Sequence, residues 1–281
     1  IGENCDVRIV LFGDNEFRTG GIQVAESSRF ELAGDGDLRI TLAGGRYFGI
    51  GNDLASRHGD LYFNQDGTLS ITATGMRGVG IGSGLGGNIH IGHGRYEIDQ
   101  RGQEGVVIGC VDDDCRLHIE NCDIEIYNGI ARSVTVGSYN GDADIEIENI
   151  SGKISGASIS TAVIGTMCGQ QCHVRMQNVN VTMNIRSNEC YGIGCRQGYT
   201  DISIQYAYVK VVAQGKEAYA MGNGSHSAKL LFSNSDINTQ VVNSVGMDIG
   251  AQEDDIKIGN GRVSFMVNGI TREREVHMAD L

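Results

Sequence analysis

Apolar and polar residues alternate along most of this chain, and the alternation comes in short runs. In the stretch 104–129, EGVVIGCVDDDCRLHIENCDIEIYNG, three runs place apolar side chains at every second position, and two polar turns separate them. An alternation with a period of two is typical of strands that bury one face. The stretch therefore predicts three short β-strands, which we call the first, second and third strand of a repeat.

The glycine that ends the first strand recurs at a nearly constant interval. It is found as Gly51, Gly82, Gly109, Gly137, Gly165, Gly194, Gly222 and Gly250. The interval is 31 residues once and 27 to 29 residues afterwards. A fixed period of this size is the sequence signature of a solenoid, in which each repeat forms one rung. We therefore predict one all-β domain over residues 1–281, a β-solenoid with about nine or ten rungs of about 28 residues.

Columns of apolar residues, one from each rung, predict the core. The residue before each repeat glycine is apolar: Ile50, Ile81, Ile108, Val136, Ile164, Ile193, Met221 and Ile249. The residue two positions earlier is apolar as well: Phe48, Val79, Val106, Val134, Ala162, Tyr191, Tyr219 and Met247. Strict alternation turns both columns inward, where stacking buries them. At about 25 cal/mol per Å² of apolar surface, this burial is the main stabilising contribution.

One polar residue separates the second strand from the third in each rung. The column reads Asn4, His93, Asn121, Asn149, Asn178, Tyr206, Asn234 and Asn260. Asparagine tolerates the left-handed backbone conformation that a one-residue corner needs, and its side chain forms local hydrogen bonds. We therefore predict left-handed corners and a ladder of stacked asparagines.

The three strands per rung, the asparagine column and the period resemble right-handed, single-stranded parallel β-helices of the pectate-lyase type. The segments CDVRIVLFGDNEFRTGGIQV and GTLSITATGMRGVGIGSGLGGNIHIGHG also resemble the Gly-Ile-Gly repeat arrays of large Firmicute surface proteins. The first resemblance implies the fold, and the second implies a stalk or a carbohydrate-binding module at the cell surface. The 8 cysteines and the absence of proline depart from the array pattern.

The cysteines allow more than one interpretation. Cys110 and Cys115 flank one turn, and Cys168 and Cys172 flank another, so each pair can close a local disulfide. A zinc site built from these four thiols is disfavoured, because the two turns lie two rungs apart. We favour buried free thiols, which suit a reducing compartment and a cytoplasmic location. The compartment therefore stays open between cell surface and cytoplasm.

Charge and composition exclude some partners. The net charge of −13 argues against binding to nucleic acids and to anionic membranes. No apolar run approaches the roughly 18 residues of a membrane span, so membrane insertion is not expected. The 42 glycines occur without any proline, which fits repeated tight turns rather than low-complexity disorder.

Acidic residues cluster in the turns that follow the repeat glycines: Asp112, Asp113, Asp114, Asp142 and Asp144. In pectate-lyase-like enzymes this side of the helix carries the active site and calcium-binding carboxylates. The resemblance therefore implies either a calcium site or a carboxylate pair for glycosidic chemistry. The alternative is solvated turn residues, which we favour because the turns are too short to wall a cleft. We predict no catalytic residue, and the histidines have no metal-ligand spacing.

Small, uncharged residues lie between the two apolar columns of the first strand. They include Gly80, Val107, Thr135, Val163, Gly192 and Ala220. Strict alternation places these residues outward, where a solvated sheet normally carries charges. We interpret the column as a face for a partner, either a polysaccharide or a second copy of the chain. The alternative is that small residues only suit tight rungs.

Three functions fit these patterns. The first is a non-catalytic binding or scaffold module of a larger bacterial protein, which the short turns and the missing catalytic constellation favour. The second is a polysaccharide lyase or glycoside hydrolase. The third is a sensor domain of a regulatory protein, which the many cysteines suit. The chain begins within a rung, which suggests that it is part of a longer protein.

Overall fold

The protein is a parallel β-solenoid of about eight turns, with a spacing of about 28 residues between rungs. The structure, a computed structural model, describes residues 1–224, 227–242, 249–250 and 256–274. Strands and connecting turns make up these residues, without a helix. The predicted all-β repeat fold is therefore confirmed. Nothing in the described ranges has the length and hydrophobicity of a membrane-spanning helix.

The strands are β1 (Asp6–Leu11), β2 (Asp14–Phe17), β3 (Ile22–Gln23), β4 (Arg29–Gly34), β5 (Asp37–Gly51), β6 (Asp60–Gln65), β7 (Thr68–Ser83), β8 (Asn88–Ile91), β9 (Gly94–Cys110), β10 (Cys115–Glu120), β11 (Cys122–Ser138), β12 (Ala143–Glu148), β13 (Ser151–Ala157), β14 (Ser160–Thr166), β15 (Gln171–Gln177), β16 (Asn180–Arg186), β17 (Glu189–Cys195), β18 (Tyr199–Gln205), β19 (Tyr208–Gln214), β20 (Glu217–Asn223), β21 (Ala228–Ser233), β22 (Ser235–Val242), β23 (Ile249–Gly250), β24 (Ile256–Ile258), β25 (Gly261–Val267) and β26 (Ile270–Arg274).

Two sheets run the length of the solenoid. The second strands of successive rungs form a ten-stranded sheet in the order β1-β4-β6-β8-β10-β12-β15-β18-β21-β24. The third and first strands together form a sixteen-stranded sheet. Equivalent residues pair one repeat apart, as Ile119 does with Ile147. The pairs are parallel except for the hairpin between β25 and β26.

The third strand of one rung is continuous with the first strand of the next in the N-terminal half. The long strands β5, β7, β9 and β11 have 15 to 17 residues each, whereas separate strands such as β13 and β14 take their place later. The pairing register of the long strands omits Met76, Gln103 and Ala131, although their neighbours are paired. Both partners omit the equivalent residue, so the register is the same on either side and the ladder is only interrupted at this point. These interruptions line up from rung to rung, and we call the line that they form the corner between the third and first strands.

The corner between the second and third strands is left-handed, as the sequence predicts. Positive φ angles near 50° occur in Asn4, Asn121, Asn149, Asn178, Tyr206 and Asn234. After His93 and Asn260, the next residue, Gly94 or Gly261, has the positive φ angle instead.

Two side-chain hydrogen bonds link three of these corner asparagines. Asn149 Nδ2 donates to Asn121 Oδ1 at 3.1 Å, and Asn178 Nδ2 donates to Asn149 Oδ1 at 3.0 Å. All three side chains are exposed to solvent. The bonds therefore connect three neighbouring rungs on the outer surface rather than inside the solenoid.

The apolar core fills the interior of the solenoid. The column that precedes the repeat glycines is buried, with Ile108 0% and Ile164 1% exposed. The second strand contributes Leu117 and Ile119, which are also buried. The prediction for the column before the repeat glycines is confirmed. Met247, from the other predicted first-strand column, lies outside the described residues.

The predicted direction of the small residues in the first strand is wrong. Val107, Val163 and Ala220 are fully buried and belong to the main core, next to the inward column. A Cβ atom on Gly80 would meet the buried side chain of Gln100, and one on Gly192 would meet Val211. Thr135, the remaining residue of this column, is fully buried as well.

An interruption of the ladder explains this error. Val134 pairs with Ala162 and Val136 pairs with Ile164, but the register omits Thr135 and Val163 between them. Strict alternation of side chains requires regular strand geometry, so two consecutive side chains can face the same side where the ladder is interrupted. The small column and the one after it therefore both face inward.

The other predicted inward column forms an apolar cluster of its own, separate from the main core. This cluster contains Val79, Val106, Val134, Ala162, Tyr191 and Tyr219. The turn residues Leu54, Val111 and Met167 pack against them. The rings of Tyr191 and Tyr219 stack with centroids 5.6 Å apart. Turn residues thus cover this side of the first strand, which explains why both faces of the strand are buried.

Candidate functional site

A groove of about 690 Å³ lies along the corner between the third and first strands. Its lining residues are Gly45, Arg46, Met76, Arg77, Gln103, Glu104, Ala131, Arg132 and Ile159. Each of five successive rungs contributes to the groove. At about 4.8 Å per rung, four steps give a length of about 19 Å. The groove is therefore long enough for an extended ligand.

The charged residues of the groove lie directly after the interruption of the ladder. Arg46, Arg77, Glu104 and Arg132 are equivalent residues of consecutive rungs, each directly after the unpaired corner residue. They form one column along the groove, because the parallel register repeats each position at the next rung. This column was not predicted from the sequence, although three arginines at the same position of the repeat could have indicated it.

Two arginines of the groove lack a compensating charge. Arg77 is paired, with Nε 2.9 Å from Glu104 Oε1 and Nη2 3.3 Å from Asp112 Oδ2. Arg46 and Arg132 are exposed, and none of the ion pairs in the described ranges includes either of them. The groove therefore presents unpaired positive charge in a chain whose net charge is −13.

Apolar side chains lie beside these charges. Met76 is 59% exposed and Ile159 is 55% exposed, although most large apolar side chains of the described residues are buried. Exposed apolar groups within a groove are typical of a binding surface. The groove therefore offers an anionic ligand both charged and apolar contacts.

Two of the predicted acidic turn residues form ion pairs and hydrogen bonds. Asp112 interacts with Arg77 at 3.3 Å, and its Oδ1 accepts a hydrogen bond from Asn140 Nδ2 at 2.7 Å. Asp113 forms an ion pair with Arg57. The contact of Asp112 with Asn140 thus joins neighbouring rungs, whereas the ion pair of Asp113 with Arg57 joins rungs two repeats apart.

The other three acidic residues have similar contacts. Asp114 Oδ1 accepts a hydrogen bond from the backbone N–H of Asp142, and Asp142 Oδ1 accepts one from the backbone N–H of Gln171, both at 2.9 Å. Asp144 lies 3.7 Å from Arg175. Among the described residues, none of the five aspartates belongs to a group of three converging metal ligands. The calcium site implied by the resemblance therefore stays a prediction without support from this geometry.

The eight cysteines are free thiols. Six of them are buried, Cys168 is half-buried and Cys5 is exposed. A hydrogen bond with Cys110, together with burial, raises the pKa of Cys115 above its usual value. The interpretation as free thiols is confirmed, and burial holds for six of the eight.

The histidines are a second group that the sequence analysis missed. His90 and His118 pair in the parallel register, and their rings stack with centroids 5.0 Å apart. Glu120 lies two residues after His118, on the same face of β10. Burial and the nearby His118 both lower the pKa of His90 below its usual value. The available signal was the spacing, because residues 28 apart are one repeat apart and become neighbours.

Comparisons with protein-family models, with curated proteins and with solved structures find no match for this chain. The class of the protein therefore rests on its own geometry, which is that of a parallel β-solenoid with a groove along one corner.

Proposed function

We propose that this protein is a non-catalytic binding module whose corner groove binds an extended acidic polysaccharide. The observation that carries the proposal is the pair of exposed arginines, Arg46 and Arg132, which have no ion-pair partner and line one groove. Unpaired arginines attract anionic groups, and the guanidinium group forms two parallel hydrogen bonds with a carboxylate. The proposal keeps the binding function predicted from the sequence and moves it to a different surface.

The spacing of the groove suits a chain of linked sugars. Arg46 and Arg132 lie three rungs apart, which corresponds to about 14 Å. Two carboxylates on separate sugars of one extended chain can contact them together. Met76 and Ile159 lie beside the arginines and can pack against the apolar faces of sugar rings. A ligand with both charge and apolar ring faces therefore matches the lining better than a small anion.

The carboxylates of the groove favour binding over hydrolysis as its function. Most glycoside hydrolases use a pair of carboxyl groups that flank the scissile bond. Glu104 is the only carboxylate among the lining residues, and it is paired with Arg77 at 2.9 Å. The groove therefore lacks the second group that this chemistry needs.

The test is a titration with polygalacturonate as the acidic polysaccharide and dextran as the neutral one. We expect the wild type to bind polygalacturonate, more weakly at high salt because salt screens exposed charges, and not to bind dextran. The double variant Arg46→Gln/Arg132→Gln should bind at least about tenfold more weakly, which corresponds to about 1.4 kcal/mol.

A double variant with the same charge change serves as the control. Arg116 and Arg186 are exposed and lie outside the groove, so Arg116→Gln/Arg186→Gln should leave the affinity unchanged. Equal weakening by both double variants would show that only net charge matters. Absence of binding to polygalacturonate, or equal binding to dextran, would refute the proposal.

A further inference from the structure

Three potential metal ligands converge on the outer face of the ten-stranded sheet. His90 lies on β8, and His118 and Glu120 lie on the adjacent β10. His90 Nε2 is 3.3 Å from Glu120 Oε1, and His118 Nε2 is 3.6 Å from the same oxygen. One ligand atom from each residue lies within 4.8 Å of the other two. All three side chains are half-buried, so the surrounding protein limits their movement.

We propose that His90, His118 and Glu120 form a binding site for a divalent transition metal ion, Zn²⁺ in the first place. Zinc bonds to imidazole nitrogen and carboxylate oxygen at about 2.0–2.2 Å with tetrahedral geometry, which places ligand atoms about 3.4 Å apart. The two nitrogen–oxygen distances of 3.3 and 3.6 Å match this separation. The ligand atoms lie within 4.8 Å of one another, so the stacked rings have to turn towards the ion for both nitrogens to reach the tetrahedral separation.

Neighbouring residues supply the outer contacts that metal sites usually have. His118 Nδ1 lies 3.4 Å from Glu146 Oε2, which leaves its Nε2 available for a metal. Arg175 Nη1 lies 2.8 Å from Glu146 Oε1 and holds that carboxylate in place. A carboxylate on the far nitrogen of a histidine ligand orients the ring and raises its basicity. The outer carboxylate that usually supports a histidine ligand is therefore already present beside His118.

The types of ligand decide which metals fit. Two imidazole nitrogens favour zinc, copper, nickel or cobalt over calcium and magnesium, which prefer oxygen ligands. Three protein ligands leave a fourth tetrahedral position for water or for a donor atom from another molecule. The site lies on the ten-stranded sheet and shares no residue with the corner groove. Its existence therefore does not depend on the proposed polysaccharide binding.

Calorimetric titration of the metal-free chain with Zn²⁺ tests the site. We expect the wild type to bind one ion. Glu146→Gln removes only an outer contact and should weaken binding by about 10- to 100-fold. His90→Gln, His118→Gln and Glu120→Gln each remove a ligand and should weaken binding more than Glu146→Gln does. His173→Gln and Cys168→Ser serve as controls for a histidine elsewhere on the sheet and for an accessible thiol, and both should bind like the wild type.

Cobalt provides a second readout. The Co²⁺-loaded wild type should show absorption typical of tetrahedral nitrogen and oxygen ligation, without a thiolate charge-transfer band. A strong thiolate band would overturn the proposal, and so would the absence of zinc binding. Unchanged binding in any correctly folded ligand variant would overturn it as well. Circular dichroism establishes whether each variant folds. Because the three ligands are tested separately, the other two variants still test the proposal if one of them fails to fold.

Discussion

At the scale of single residues, His58 is a buried titratable group with an incomplete set of hydrogen bonds. Its side chain is 2% exposed, and Nδ1 lies 2.6 Å from the carbonyl oxygen of Gly59. Nε2 has no hydrogen-bond partner among the described residues. A Cβ atom on Gly87 would overlap with the ring, so glycine at that position makes room for it. Burial lowers the pKa of His58 from 6.5 to about 4.

This pKa shift predicts a loss of stability in acid. As the pH falls from 6.5 towards 4, the unfolded chain binds a proton at His58 and the folded chain does not. The free energy of unfolding should therefore decrease, by at most about 1.4 kcal/mol per pH unit from this residue. Urea unfolding of the wild type and His58→Gln at pH 7, 6 and 5 measures the two slopes. The variant should have the shallower slope, and equal slopes would contradict the assignment.

At the scale of one element, the first strand shows how an interrupted ladder changes which face a column of residues occupies. In β14, Ala162 belongs to the separate apolar cluster that also contains Tyr191 and Tyr219, whereas both Val163 and Ile164 belong to the main core. The small residues of the column are therefore interior residues, which pack against the third strand. Their lack of charge reflects burial rather than a partner.

A charge at Val163 should consequently disrupt folding. Val163→Lys buries an unpaired ammonium group in the core, which should lower the free energy of unfolding by more than about 3 kcal/mol. Ile159→Lys adds the same charge four residues earlier, where the side chain is 55% exposed. This control should stay within about 0.5 kcal/mol of the wild type. Urea unfolding compares the two, and a stable Val163→Lys variant would mean that Val163 faces solvent.

At the scale of the whole molecule, the stacked rungs enclose most of the thiols. Cys110, Cys115, Cys122, Cys172, Cys190 and Cys195 are buried within the stack. Burial raises the pKa of Cys122 and Cys190 to about 12 and that of Cys195 to about 11. The thiolate is the reactive form of cysteine, so these three groups are protected both by lack of access and by protonation. A hydrogen bond with Cys115 lowers the pKa of Cys110, so burial alone protects that thiol.

Thiol labelling of the native protein should therefore proceed in stages. Cys5 should react fast, Cys168 more slowly, and the six buried thiols only after a denaturant is added. Reductant should leave the melting temperature unchanged, because no disulfide contributes to stability. The measurement is the number of thiols modified over time at pH 8, with and without denaturant. Fast reaction of more than two thiols, or a lower melting temperature in reductant, would contradict this description of the stack.

The sequence by itself determined the class of fold and much of the core. The interval near 28 residues follows directly from the repeat glycines, and the buried column containing Ile108 and Ile164 follows from its constant apolar character. The left-handed corner at Asn149 was predictable because asparagine tolerates that conformation better than most residues do. Each of these features depends either on the conformational preference of a residue type or on the repeat itself. A single amino-acid sequence shows both kinds of information.

The tertiary structure alone decided where side chains point and which of them meet. Alternation could not place Val163, because the ladder is interrupted there and both faces of this strand are covered. The groove lies along a second interruption, and the constant register brings Arg46 and Arg132 to the same corner. His90 and His118 meet because parallel pairing makes residues one repeat apart into neighbours. The physical reason is common to all three cases: the strand register and its interruptions, rather than the chemistry of any single residue, set these positions.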